Sequence, residues 1–125
     1  MLRLLVIGCG GFLGAVARYQ TTLWVGRRLG SPVPYGTMSV NVLGCLLLGF
    51  LAAWVQARDG LSDELQLFLK VGLLGAFTTF STFGFETVEL LEDGEWETAL
   101  LTVAGNLALG IGAVLLGGWL ARALA

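Results

Sequence analysis

The sequence predicts an all-α integral membrane protein with four transmembrane helices, the third of them broken, and three observations carry that class. First, 56% of the 125 residues are hydrophobic and only 13% are charged, with a mean hydropathy of +0.83, far from the balance of a soluble domain. Second, apolar runs at about 4–25, 37–55, 65–91 and 98–124 each reach the roughly 20 residues needed to cross a bilayer. The gaps between them are short, so residues 1–125 form a single transmembrane domain. Third, the stretch Gly75-Ala76-Phe77-Thr78-Thr79-Phe80-Ser81-Thr82-Phe83-Gly84 has the wrong composition for an uninterrupted membrane helix. Its hydroxyls offer the backbone competing hydrogen bonds and its glycines loosen the helix. Irregular backbone at membrane depth is tolerated only where protein or a polar cavity meets it, which predicts a broken helix lining a polar path.

Span one carries Gly10 and Gly14 as a GxxxG pair and Gly11 and Ala15 as a small-xxx-small pair one residue on. Such faces let helix backbones approach closely and imply a tight bundle or dimer. Arg3 before the apolar run and Ala15-Val16-Ala17 give it some likeness to a cleaved signal. Cleavage would leave three spans and discard the glycine-patterned helix. Arg18 follows one turn after Gly14, within the span, where a charge either snorkels to the interface or makes an electropositive vestibule for an anion.

The connection Gly30 to Gly36 holds both prolines and forms a turn into span two. There Asn41 is expected to face a helix or a pore, because lipid cannot satisfy its amide donors. Cys45 and Gly49 add another small-xxx-small pair. The loop from Gln56 to Glu64, with Arg58, Asp59 and Asp63, is a solvated connection in which Ser62 is placed to cap the next helix.

After the break in span three, Thr79, Thr82, Glu86 and Glu89 recur at helical spacing, while Phe80 and Phe83 share an adjacent face. Span four presents Thr98, Thr102, Asn106 and Gly110 as a strict i, i+4 row, with Ala113 and Gly117 beyond. That stripe is either helix glue or a second wall of the polar path, and the sequence leaves the choice open. Trp24, Trp54, Trp96 and Trp119 fall at interfacial depth.

The net charge of -2 says less than its placement. Arg3, Arg58, Lys70 and Arg122 fall on one side of a four-span topology and Arg27 and Arg28 on the other, a weak bias that permits insertion in both directions. Cys9 and Cys45 lie within spans as small apolar residues, and with no histidine there is no ligand set for zinc, haem or an iron–sulfur cluster. No nucleophile and base, paired acids, phosphate loop or cofactor fingerprint is present, so no enzyme site is predicted. Transport remains. The path offers hydroxyls, amides, aromatic edges and one arginine, whereas a cation route normally shows acidic side chains in mid-span. Rings turned edge-on present their positive rims to an anion without holding it as tightly as a full charge.

Three stretches carry a resemblance: Gly10-Gly11-Phe12-Leu13-Gly14-Ala15-Val16-Ala17-Arg18-Tyr19; Gly36-Thr37-Met38-Ser39-Val40-Asn41-Val42-Leu43-Gly44; and Gly75 through Phe83 with Glu86. In order and spacing they resemble the signature stretches of the Fluc (CrcB) fluoride channel family, over essentially the whole chain, with span four matched by character only. The resemblance implies an antiparallel, dual-topology homodimer in the bacterial cytoplasmic membrane. Two pores would pass fluoride passively and reject chloride, protecting the cell from fluoride accumulated as HF. By position, Phe80 and Phe83 resemble the family's pore phenylalanines and Asn41 its pore asparagine. Thr79, Ser81 and Thr82 would join the hydroxyl track, and Arg18 would be the vestibule arginine. Gly75 and Thr78 would be the break residues whose main-chain carbonyls hold a central structural Na+. The expected partners are fluoride, a second copy and membrane lipid, with no nucleic acid. The alternative is a small multidrug-type, dual-topology, proton-coupled exporter, which would need a carboxylate in span one where this chain has Arg18.

Overall fold

The computed structural model describes residues 1–58 and 60–125. Asp59, assigned above to a solvated loop, lies outside the described residues. Four apolar helices are each long enough to cross a bilayer: α1 (Leu2–Leu29), α2 (Tyr35–Ala57), α3 (Asp63–Glu92) and α4 (Trp96–Leu124). No strand occurs among the described residues.

Local chemistry sets the ends of these helices. Gly30 closes α1 in a left-handed conformation (φ 51°) and donates its N–H to Gly26 C=O at 3.1 Å, a backbone state that favours glycine. Ser62 caps α3 as its sequence position predicts, its Oγ accepting from Leu65 N–H at 3.3 Å. Arg58 reaches the far end of α4, donating to Leu124 C=O at 3.3 Å and Ala125 C=O at 3.0 Å, a cation on the negative end of a helix. Its guanidinium also lies 4.7 Å from the Trp54 ring centroid, fixing an arginine and a tryptophan together at one rim.

Small residues decide which helices touch. Gly10 and Gly14 face α3 so closely that an added Cβ at Gly10 would lie 2.5 Å from Phe68 C=O, and one at Gly14 would run into Leu73 C=O. On α2, Gly49 packs against the Val114 backbone of α4, and Gly117 answers against Leu46. α2 and α4 form the most extensive helix pair. These are the backbone-to-backbone approaches that drive association where lipid is as apolar as the side chains. Gly8 and Gly11 behave differently, with nothing within 4 Å of a Cβ placed there. The Gly10 and Gly14 pair thus meets α3 inside the subunit, whereas the Cβ position of Gly11 does not.

Two features differ from the sequence expectation. The interruption of α3 is confined to Thr78 and Thr79, and both expected hinge glycines, Gly75 and Gly84, are helical. Before it, Leu67–Leu74 runs in wide turns with i→i+5 hydrogen bonding, and Gly105–Leu109 of α4 does the same. Such turns cluster at functional sites. The second difference concerns Lys70, counted above among loop and end charges. It stands about two turns inside α3, within the wide-turn segment.

Candidate functional site

Two consecutive residues leave the helix in α3, Thr78 at φ -85°, ψ 157° and Thr79 at φ -151°, ψ 117°. Their backbone groups need partners that lipid cannot supply. Asn41 of α2 supplies them to Thr79 in both directions. Its Oδ1 accepts from Thr79 N–H at 2.8 Å, and its Nδ2 donates to Thr79 C=O at 3.1 Å. The second hydrogen on Nδ2 goes to Asn106 Oδ1 at 2.9 Å, and Asn106 Nδ2 donates in turn to Thr102 C=O at 2.9 Å. The span-four stripe is thereby placed: Thr98, Thr102 and Gly110 are buried against the bundle, and Asn106 carries the stripe to the break. Asn106 keeps one amide hydrogen beyond the bond to Thr102, whereas both hydrogens of Asn41 are committed.

The hydroxyls of the break have distinct duties. Thr79 Oγ1 caps the second half of α3 (Phe80–Glu92) by accepting from Thr82 N–H at 3.2 Å. It donates to Thr82 Oγ1 at 3.0 Å and stands 3.3 Å from Ser81 Oγ. Thr79, Ser81 and Thr82 thus form one connected hydroxyl group. Thr78 Oγ1 turns back to Leu74 C=O at 3.2 Å.

Diverting those two N–H groups frees two carbonyls. In an unbroken helix Thr79 N–H would serve Gly75 C=O and Thr82 N–H would serve Thr78 C=O. Here the first goes to Asn41 Oδ1 and the second to Thr79 Oγ1. Gly75 and Thr78 line one cavity of about 280 Å3 together with Asn41, Thr79, Phe80 and Asn106. Gly75 and Ser81 are exposed on the subunit's surface at membrane depth.

Phe80 and Phe83 meet edge to face, ring centroids 5.5 Å apart at 65°. Phe83 is 8% exposed while Phe80 is 79% exposed. One ring is held by the subunit and the other projects from it. Arg18 is half-buried on α1 and is not brought to the cavity at the break.

Glu86 continues the row from Thr82 towards the end of α3. Its Oε1 accepts from Thr37 Oγ1 at 2.7 Å, in the first turn of α2, where the helix dipole favours a carboxylate. Its Oε2 is buried with no partner among the described residues, and the residue borders a cavity of about 150 Å3 with Thr22, Ser31 and Tyr35, large enough for water. Spacing found Glu86; its tie to Thr37 had no signal in the sequence, nor did the tie between Asn41 and Asn106. Both are polar residues in different spans, and only packing shows which face each other.

The family model described as CrcB-like protein, Camphor Resistance (CrcB), matches residues 5–118. A fluoride-specific ion channel FluC of Chloroflexus aurantiacus is 43% identical over 122 residues, covering 98% of this chain and 97% of the relative. A FluC of Acidobacterium capsulatum is 44% identical over 116 residues, 93% of each chain, and one of Rhizobium meliloti is 41% identical over 124 residues, 99% of each. These relatives are named as ion channels, not as enzymes. With its four apolar helices, this is a multi-pass bacterial membrane protein, and the chain belongs to the CrcB family.

Proposed function

We propose that the chain is a passive, fluoride-selective channel of the cytoplasmic membrane that relieves fluoride toxicity, and that it works as an antiparallel, dual-topology homodimer. The observation that carries this reading is the break in α3, held open by Asn41, with hydroxyls and a projecting phenylalanine gathered beside it. Lipid cannot satisfy the freed carbonyl of Gly75, a residue exposed on the subunit, so another protein surface must cover it. A second copy supplies that surface with the same elements, as an isologous two-fold contact requires. The nearly balanced Lys/Arg distribution permits the two copies to insert in opposite directions.

In the pore, Thr82 offers its hydroxyl hydrogen, Ser81 a hydroxyl that can turn from Thr79 to the ion, Asn106 its remaining amide hydrogen, and Phe80 and Phe83 their positive edges. Fluoride is small and strongly hydrated, so a narrow track of donors that replaces its water filters it from chloride while releasing it readily. Asn41 shapes this track by holding Thr79. Arg18 supplies a positive vestibule. The multidrug-type alternative lacks its coupling group, since α1 contains no carboxylate.

We also assign the Gly75 and Thr78 carbonyls to a structural Na+. The fit rests on the loss of both i+4 donors and on the shared cavity. The ion's chemistry there is to neutralise like-oriented carbonyl dipoles where two subunits meet. Purified protein in liposomes should release fluoride rapidly and retain chloride. Equal release of both ions, or of neither, ends this reading.

A further inference from the structure

Among the described residues, Lys70 alone borders both the cavity at the break and a second cavity of about 290 Å3 lined by Arg3, Asp63, Gln66, Leu67 and Val71. The wide turns of Leu67–Leu74 put it there: Gly75 N–H bonds back to Lys70 C=O, five residues earlier, so the helix is broadened at this residue. Its Nζ donates to Gln66 Oε1 at 3.0 Å, and Gln66 Nε2 is anchored on Leu61 C=O at 3.2 Å. That accounts for one of the three ammonium donors. Among the described residues no carboxylate forms an ion pair with Lys70, although Asp63 shares the outer cavity. An ammonium inside a span that bonds a neutral acceptor and, among the described residues, forms no ion pair is placed to attract an anion.

We propose that Lys70 is an anion-recruiting residue: its ammonium collects small inorganic anions in the Arg3 cavity and passes them to the cavity at the α3 break, setting the apparent affinity for fluoride. This rests on the channel reading above and adds the residue that feeds the pore on this side. The charges suit the task. Arg3 and Asp63 offset one another at the mouth, leaving Lys70 as the net positive group, so anions are concentrated without a deep trap. Lysine is a compact, strongly hydrated point charge on a flexible stem and gives no bidentate grip. Gln66 competes for the same ammonium, and that competition helps the anion leave.

The test is fluoride efflux against fluoride concentration in vesicles of zwitterionic lipid, at low and high concentrations of an impermeant salt. Lys70→Gln should raise the half-saturating fluoride concentration about threefold to tenfold, leave the maximal rate within about twofold, and abolish the salt sensitivity of the wild type. Lys70→Arg should restore most of the affinity. Arg3→Gln, at the exposed start of α1, should shift the half-saturating concentration in the same direction by less. An unchanged half-saturating concentration in Lys70→Gln overturns the proposal, as does a fall in maximal rate alone, which marks a structural lysine. A defect seen only in vesicles containing anionic lipid also overturns it, making the cavity a lipid-phosphate site. A wild-type protein that passes no fluoride removes the channel reading and this one together.

Discussion

Asn41 and Thr79 are joined in both directions, side-chain oxygen to backbone N–H at 2.8 Å and side-chain nitrogen to backbone carbonyl at 3.1 Å. One amide thus does for a two-residue break what a helical turn would have done. Asn41→Asp keeps the acceptor but loses the donors, and Asn41→Ala loses both. Side-chain hydrogen bonds within membranes often contribute less than 1 kcal/mol because the unfolded chain finds other partners. The backbone groups of Thr79 are buried at a fixed break, so each group left unpaired should cost about 1–3 kcal/mol. Both variants should lose fluoride flux and unfold more readily in detergent, Asn41→Ala more than Asn41→Asp. Wild-type stability and flux in either would dismiss this role for Asn41.

The two phenylalanines should separate by where they sit. Phe80 is 79% exposed on the subunit, so Phe80→Ile should leave the fold of the subunit intact while removing a positive ring edge from the path. Phe83 is buried, yet Phe83→Ile conserves enough apolar volume to cost less than about 1.5 kcal/mol. Both should pass little or no fluoride while running as dimers in size-exclusion chromatography. Normal flux through both would contradict an aromatic path.

The sequence made much of this arrangement legible, and the limits have physical causes. Four spans follow from hydropathy, the break from clustered hydroxyls and a close helix contact from Gly10 and Gly14, whose partner, α3, only the packing shows. The break is shorter than its composition suggests because Thr79 caps the next segment at once, and Gly75 and Gly84 then have no reason to leave the helix. Asn41 is legible as an amide that must face a helix or a pore, while its bonds to Thr79 and Asn106 depend on helix rotations that no local pattern encodes. Charge counting near span ends places Lys70 with the loops, whereas the helix that carries it already begins at Asp63 and its wide turns enclose the residue.

The glycines give a comparison internal to α1. An added methyl at Gly14 meets the Leu73 carbonyl, and one at Gly117 of α4 meets the Leu46 carbonyl, with backbone on both sides. Gly14→Ala and Gly117→Ala should each destabilise the subunit by about 1–3 kcal/mol. Gly11→Ala meets open space and should change subunit stability by no more than about 0.5 kcal/mol, unless the second copy lies on that face. Thermal unfolding in detergent ranks the three. A Gly11→Ala dimer that dissociates with an intact subunit would map the interface to the Gly8–Gly11 face of α1.

The sodium assignment makes the last prediction. Two copies related by a two-fold axis through the break would present four freed carbonyls, two from Gly75 and two from Thr78, and dipoles so oriented need a cation between them. Among the described residues no cluster of three acidic, histidine or cysteine side chains exists to hold a divalent ion, which favours a monovalent one, since calcium and magnesium usually recruit charged ligands. The ligands are main chain, and the Thr78 hydroxyl is already bonded to Leu74 C=O, so Thr78→Val should retain the ion and most of the flux. Enclosed by both subunits, the ion should exchange slowly and take no part in coupling. Fluoride flux should therefore be the same whichever way a sodium gradient points. Fluoride accumulation driven by sodium entering the vesicles would make the protein a cotransporter and end the structural role assigned to Gly75 and Thr78.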